Sequence, residues 1–161
     1  MEQFIGTKIV QAEPMTRGEH WGSDAVDAIM NNADGAIEKA VRDTFDDAGY
    51  RVVYEDGYQS WSPKEVFEAA YRRTDGLSFG LALEACKMGK KIARKGWNGK
   101  GMYVFLADEV AFHTAADISE FEDTGVPVLD CLCMRTADRS ICPGWLASQT
   151  DMLADDWCIV Q

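Results

Sequence analysis

The hydrophobic and polar positions in the first quarter of the chain predict short elements of both kinds. Residues 4–12 alternate imperfectly and predict a strand that ends at Pro14, and the polar segment 15–33 is typical of a loop. Over residues 36–48 the apolar side chains recur at helical spacing, which predicts an amphipathic helix with Gly49 as its C-cap.

A hairpin and a second helix are predicted next. Residues 50–54 and 58–61 are rich in aromatic and β-branched side chains, and the Asp56-Gly57 pair between them is a strong hairpin signal. The segment 62–65 contains a capping serine, a proline suited to the first helical position and a glutamate that completes a capping box. The pattern therefore predicts a helix from this segment to about Arg73.

The second half of the chain shows the same mixture. Residues 78–87 have one apolar helical face, with Ser78 as the candidate N-cap and Gly89 as the stop signal. Further short elements are expected in chain order: a strand at 90–95, a glycine-rich turn at 96–101, a strand at 102–107, a long acidic loop at 108–126, extended segments at 128–135 and 140–145, a short helix capped by Ser148 or Thr150, and a closing strand at 157–160.

These elements do not alternate as βαβ units, so the sequence predicts an α+β fold with small antiparallel sheets and short helices. The best boundary is the turn at 74–76, because two helical patterns would otherwise run together there. We therefore expect two small modules, 1–74 and 75–161, with segment 24–48 as a candidate insertion in the first.

Charge and cysteine content narrow the function classes. The formal net charge is -11, from 16 basic and 27 acidic residues, which disfavours long nucleic acids and anionic membranes as partners. No apolar run approaches the ~20 residues of a membrane helix, and the first residues do not resemble a signal peptide. The five cysteines are an odd number without a disulfide framework. We therefore expect reduced thiols and a cytoplasmic protein.

Enzyme signatures are scarce. The sequence contains no P-loop, no strand-linked G-x-G-x-x-G and no H-E-x-x-H motif. His20 and His113 lie in predicted loops, where solvated side chains are typical. A zinc site at Cys131, Cys133, Cys142 and Cys158 is the alternative to buried thiols, and the C-x-C spacing favours the thiols. No catalytic residue, metal or cofactor is assigned.

A basic segment contrasts with the acidic total, since residues 87–100 contain six basic residues and no acidic one. Within it, three glycines surround Trp97 and Asn98, next to Arg94. Such a turn brings backbone N–H groups close to an anion, Arg94 can neutralise phosphate, and Trp97 offers a face on which a base can stack. The alternative is an ordinary hairpin with a solvated basic edge and a core tryptophan.

A second informative segment covers residues 143–157. Trp145 follows Pro-Gly and is expected at a turn, and Ser148 and Asp151 have the spacing of a helix N-terminus, which offers free N–H donors to phosphate. The alternative is that Ser148 is only a cap and Asp151 only completes its box.

These two segments, Arg94 to Met102 and Pro143 to Trp157, together with the helix start Leu77-Ser78-Phe79-Gly80, resemble the second Thoeris anti-defence family of phages and prophages. The resemblance covers about residues 76–161. It implies a non-enzymatic protein that sequesters glycocyclic ADP-ribose made by a bacterial TIR-domain immune enzyme, with cyclic dinucleotides as further candidate ligands. It also implies a homotetramer, built as a dimer of dimers, in the cytoplasm of the infected host.

The resemblance carries two groups of site residues onto this chain. Phe79, Trp97, Asn98 and Trp145 would form the aromatic and polar walls of the ligand pocket. Phosphate and ribose contacts would come from Arg94, Ser148, Gln149 and Asp151. The chain departs from the family pattern in two places. The acidic segment 108–126 is longer than the family domain needs, and residues 1–74 lie outside that domain and resemble a small module at the front of phage proteins.

Two other functions remain as alternatives from the residues themselves. One is an enzyme that hydrolyses such a signal, and the other is a phage protein-interaction module that uses Trp97 and Trp145 as interface anchors.

Overall fold

The computed structural model describes residues 7–22, 26, 27, 31, 39, 43–107 and 129–160. The chain divides into two compact units, residues 1–72 and 73–161. Each unit contains one antiparallel sheet, of three strands in the first and five in the second, with short helices beside it. The predicted α+β class with small antiparallel sheets is therefore confirmed.

The first unit is built on a sheet in the order β1-β2-β3. β1 pairs with β2 from Gln11 opposite Val53 to Thr16 opposite Ala48, and β2 and β3 form the hairpin that Asp56-Gly57 predicts. Its elements are β1 (Gln11–Thr16), α1 (Arg17–Trp21), β2 (Ala48–Val53), β3 (Gln59–Pro63) and α2 (Lys64–Ala70).

The first predicted strand is displaced along the chain. Residues 7–10 are not in a strand, and β1 instead passes through Pro14. β1 is an edge strand, where the missing proline N–H removes no bond from the centre of the sheet. The loop prediction for 15–33 is wrong at α1, which starts with a capping box in which Thr16 and Glu19 bond each other's backbone N–H groups.

The helix predicted over 36–48 lies mostly outside the described residues, and its predicted end is wrong. Residues 43–45 are helical, but Gly49 is a buried residue of β2 and not a C-cap. A Cβ at Gly49 would collide with the Trp61 ring and the Ser62 carbonyl, so this glycine allows the indole to lie directly against the strand.

The second predicted helix starts later and ends earlier than expected. α2 covers Lys64–Ala70, and its N-cap is Pro63, with no side-chain capping bond. Ser62 pairs with Tyr50 in the sheet, so the strand continues through the serine that the pattern assigns to the capping box. Pairing with β2 therefore overrides the local helix signal.

The second unit has a sheet in the order β7-β6-β5-β4-β8, in which all adjacent strands are antiparallel. The predicted loop 108–126 lies outside the described residues. The elements are α3 (Phe79–Lys87), β4 (Lys91–Arg94), β5 (Tyr103–Ala107), β6 (Cys131–Arg135), β7 (Ile141–Pro143), α4 (Gln149–Met152) and β8 (Trp157–Val160).

The core of the second unit forms between α3 and one face of this sheet. Ala82 and Cys86 of α3 are fully buried with Ile92, Val104 and Trp157. α3 begins after Ser78 and ends before Gly89, as predicted, and Gly89 has a φ of 80° that favours glycine. In the residues that the structure describes, no helix has the length and apolar character needed to cross a bilayer.

Candidate functional site

Four aromatic side chains meet at one end of the second unit's core. The Trp97 and Trp145 rings each lie edge-on to Trp157, with centroid distances of 5.4 and 6.2 Å, and to each other at 6.0 Å. Phe79 lies 5.4 Å from Trp157 on the helix side. Trp157 is fully buried, whereas Phe79, Trp97 and Trp145 are half-buried. The cluster therefore has a rigid centre and an aromatic surface accessible to solvent.

Backbone contacts fix the two outer tryptophans. Trp97 lies in the turn that follows β4, and its N–H donates to the Arg94 carbonyl at 3.3 Å. Trp145 follows Gly144, which has a φ of 73°, and its N–H donates to the Leu132 carbonyl of β6 at 2.8 Å. The sharp turn at Gly144 thus brings Trp145 back over the sheet, which explains why Pro-Gly precedes it.

The Asp151 carboxylate links the tryptophans to the loop before α4. Oδ1 accepts from Trp97 Nε1 at 3.1 Å and from Arg94 Nη1 at 2.9 Å. Oδ2 accepts from the Ser148 N–H at 3.1 Å and from its hydroxyl at 2.6 Å. Trp157 Nε1 donates to the Asp151 carbonyl at 2.9 Å. One residue therefore holds two indoles, the arginine and the helix cap.

Arg94 is held by two carboxylates. Besides Asp151, its Nε donates to Asp156 Oδ1 at 2.7 Å, and only 18% of its side chain is exposed. Asp156 Oδ2 also accepts from the Gly96 N–H at 2.8 Å, which anchors the start of the glycine-rich turn. The charge of Arg94 is thus neutralised inside the protein, and the guanidinium orients the loops around Trp97.

The hydrogen bonds of this network keep its carboxylates ionised. Burial acts to raise the pKa of Asp151, but hydrogen bonds from Ser148, Arg94 and Trp97 outweigh it and lower the pKa to about 2. The hydrogen bond from Arg94 likewise lowers the pKa of Asp156, and both carboxylates raise the pKa of Arg94. The site is consequently a fixed arrangement of charges at neutral pH.

Polar groups on the rim remain exposed. Asn98, Ser148 and Gln149 are all exposed, and the Asn98 and Gln149 side chains form no hydrogen bond with any described residue. Ser148 differs, because its hydroxyl bonds Asp151 and lies 2.8 Å from the Thr150 hydroxyl. Of the rim residues, Asn98 and Gln149 therefore have side chains free to bind a molecule placed over the aromatic surface.

The basic segment 87–100 separates into different roles in the structure. Lys87 pairs with Glu84 at 2.7 Å, and Lys91 lies 5.0 Å from the centre of the Tyr103 ring. Lys95 and Lys100 are exposed on either side of the Trp97 turn. These two lysines are the exposed positive charges nearest to Trp97 along the chain.

The cysteines do not form a metal site in the described part of the chain, where no suitable group of three His, Cys, Asp or Glu side chains occurs. Cys131 and Cys133 lie on one strand face with their sulfurs 3.6 Å apart. Burial, with the hydrogen bond to Cys131, raises the pKa of Cys133 to about 11. This thiol is thus protonated at neutral pH, and all five cysteines are free.

Two residues of the network go beyond the sequence-based assignments. Asp156 is not among the site residues expected from sequence, yet it bonds Arg94, and Trp157 lies at the centre of the aromatic cluster. No local motif identifies Asp156, because its partner is 62 residues away. The histidines do not join the site: His20 lies in α1 of the first unit, not in a loop, and His113 is outside the described residues.

Comparison with known proteins assigns a family to the second unit. The Tad2-like family, a Thoeris anti-defense 2-like domain, matches residues 77–160. A protein of Bacillus phage SP01 named Thoeris anti-defense 2 is 42% identical over 85 residues, which is 52% of this chain and 94% of the phage protein. The matched segment contains α3, the whole five-stranded sheet and the aromatic cluster. The chain therefore belongs to the Thoeris anti-defense 2-like family of phage anti-defence proteins.

Proposed function

We propose that the second unit binds glycocyclic ADP-ribose and holds it intact, so that the signal cannot activate the Thoeris effector. The observation that best supports this is the half-buried pair Trp97 and Trp145 on the buried Trp157, beside the free rim amides of Asn98 and Gln149. Stacking of a base on an aromatic side chain is worth ~1–3 kcal/mol. Because the indoles are already fixed, little ordering cost opposes binding.

The phosphates need a different partner from the one that the sequence suggests. Arg94 already bonds Asp151 and Asp156, so releasing it for a phosphate would leave two carboxylates without their cation. We therefore assign Arg94 and Asp151 to positioning of the pocket walls. Backbone N–H groups of the glycine-rich turn and the exposed Lys95 and Lys100 supply the anion contacts.

Binding of this kind requires no bond cleavage, and we propose that the protein is a sponge and not an enzyme. Stacking on Phe79, Trp97 and Trp145 recognises purine faces, which cyclic dinucleotides share with glycocyclic ADP-ribose. Cyclic dinucleotides are therefore proposed as further ligands. The site of action is the host cytoplasm, where the immune enzyme produces its signal.

We also propose a homotetramer, as a dimer of dimers, because large apolar side chains in the described part of the second unit are exposed. α3 and α4 lie on the sheet face of Ile92 and Val104. At the rim of the aromatic cluster, exposed apolar side chains continue the surface, with Leu146 88% and Leu153 82% exposed. A second copy would cover such surfaces.

The central experiment measures whether the ligand survives binding. The protein is incubated with an equimolar amount of glycocyclic ADP-ribose, the free fraction is removed, and the protein is denatured before mass spectrometry. We expect intact ligand in the released fraction and loss of Thoeris effector activation in its presence. Recovery of a cleaved product, or turnover at substoichiometric protein, would instead identify a hydrolase.

The Trp97→Ala variant tests the pocket assignment. Loss of one stacking face should weaken binding by about 5- to 150-fold, since stacking contributes ~1–3 kcal/mol. Trp21→Ala is the matched control, because it removes the same ring from the first unit and should leave affinity unchanged. If calorimetry finds equal affinity for Trp97→Ala and the unaltered protein, the ligand does not bind at this cluster.

A further inference from the structure

The first unit contains an open groove with a volume of about 350 Å³. Arg17, His20 and Trp21 of α1 form one wall, and the hairpin residues 58–61 form the other. The groove lies within the first unit, outside the family domain of residues 77–160. The function proposed above does not use it.

Arg17 gives this groove a cationic wall between two indoles. Its guanidinium carbon lies 4.6 Å from the centre of the Trp61 ring and 6.0 Å from that of Trp21. Nη2 is 3.5 Å from Asp47 Oδ2, which is an ion pair longer than an ordinary hydrogen bond. With 30% of its side chain exposed, Arg17 can donate a stronger hydrogen bond to an incoming acceptor.

The lining of the groove differs in charge from the chain as a whole, although Asp47, which is outside the lining, pairs with Arg17. The chain has 27 acidic and 16 basic residues, yet the described side chains that line the groove include Arg17 and His20 and no carboxylate. An anionic group therefore meets attraction at the groove and repulsion over most of the remaining surface. This complementarity selects a negatively charged partner.

The shape and residue types of the groove favour a protein segment as that partner. The groove is open, and Tyr58 is 64% and Trp21 38% exposed. Their O–H and N–H groups form no hydrogen bond with a described residue, so both are free to donate. Tyrosine, tryptophan and arginine are the residue types that most often dominate protein interfaces, whereas small-molecule sites usually enclose their ligand.

We propose that this groove binds an acidic peptide segment of another protein. A carboxylate of the segment accepts from Arg17, and an apolar side chain next to it packs on Trp21 and Tyr58. Bidentate recognition of a carboxylate requires the planar guanidinium, so lysine cannot fully replace Arg17. This inference does not depend on cyclic nucleotide binding by the second unit.

The test is selection of random twelve-residue peptides displayed on a scaffold against the full-length protein. We expect enriched peptides to combine Asp or Glu with apolar residues. The enriched peptides should bind Arg17→Gln and Tyr58→Ala about 10-fold more weakly or worse, as loss of an interface anchor predicts. Arg72→Gln is the matched control, because it removes the same charge from the same unit, outside the groove.

The same experiment contains the outcomes that would overturn the proposal. These are the absence of enriched peptides, enrichment without acidic residues, or acidic peptides that bind the Tyr58→Ala variant with unchanged affinity. Tyr58 is mostly exposed, so this variant should fold even if Arg17→Gln does not. The other possible occupant of the groove is a second copy of this chain, which analytical ultracentrifugation tests. If Tyr58→Ala lowers the mass of the oligomer, the groove holds a second copy and the proposal is overturned.

Discussion

Each unit places an arginine beside tryptophans, but the two arginines have different electrostatic surroundings. In the second unit, Arg94 is 18% exposed and bonds Asp151 and Asp156 at 2.9 and 2.7 Å. In the first unit, Arg17 is 30% exposed, and its carboxylate partner among the described residues is Asp47 at 3.5 Å. Arg94 is thus neutralised by two carboxylates at hydrogen-bond distance, whereas Arg17 has a weaker, longer pair and more exposed donors.

This difference shows that a charged side chain in a family motif can stabilise the surrounding loops. Arg94 lies in the segment that the family resemblance identifies, yet its bonds hold the Trp97 turn against α4. The exposed groups around the aromatic cluster are the Asn98 and Gln149 amides, Lys95 and Lys100, and parts of the aromatic faces. In the first unit the arginine itself forms part of the open surface.

The largest effect should come from the centre of the second unit's aromatic cluster. Trp157→Ala removes a fully buried indole and is expected to lower the free energy of unfolding of this unit by about 3–5 kcal/mol. Trp21→Ala, which loses an edge contact with Phe45, should cost about 1 kcal/mol. Urea denaturation can be followed by NMR through the indole N–H signals of the five tryptophans, which report the unfolding of each unit separately.

The distribution of the tryptophans supplies the control for this measurement. Trp21 and Trp61 report the first unit, and Trp97, Trp145 and Trp157 the second. Trp157→Ala should shift the midpoint of the second set and leave the first set in place. Equal costs for the two variants would contradict the distinction between a buried centre and an open groove.

A smaller effect is expected from the carboxylates that face each arginine. Asp151→Ala leaves the Trp97 Nε1 donor without this acceptor and Arg94 with Asp156 as its remaining carboxylate, and it should cost about 2–4 kcal/mol. Asp47→Ala removes an exposed pair and should cost about 0.5 kcal/mol. Chemical denaturation of both variants measures the difference, and a cost for Asp47→Ala as large as that for Asp151→Ala would remove the contrast between the arginines.

The sequence predicts much of the second unit because its signals are local. The start of α3 after Ser78, its end before Gly89 and the capping box of Ser148 and Asp151 each depend on residues a few positions apart, although the Ser78 side chain forms no capping bond. The first unit is less predictable, because sheet pairing overrides its local signals. Ser62 is in β3 although it begins a capping-box pattern, and Gly49 is in β2 although it follows a helical pattern.

In the candidate site, too, local features are predictable from sequence and long-range contacts are not. Tryptophans in unusual motifs are visible from sequence, and the structure brings Trp97 and Trp145 together as an edge-on pair. The role of Arg94 depends on Asp151 and Asp156, which are 57 and 62 residues away. Long-range pairing of this kind leaves no local pattern, so a free arginine and a neutralised one look identical in sequence.

The smallest expected effect is the response of the two units to acid. The pKa of Asp151 is about 2 in the folded protein against an ordinary value of 3.8, so its ionised form is more stable in the folded state. The corresponding stability is present above about pH 4 and is lost as the pH falls towards 2. The hydrogen bond from Arg94 lowers the pKa of Asp156 as well. Protonation of Asp156 at low pH therefore adds to the loss of stability of the second unit.

In the described part of the first unit, Glu19 is the carboxyl group whose pKa is lowered. The cause is its hydrogen bonds with Thr16 at the exposed start of α1. Thermal unfolding between pH 5 and about pH 2.5 should therefore lower the transition of the second unit more than that of the first. Asp151→Asn should reduce this difference, because asparagine does not titrate but still accepts the Trp97 bond. An unchanged pH dependence in Asp151→Asn would show that Asp151 does not hold the ionised network, and the distinction between the two arginines would then rest on Asp156 alone.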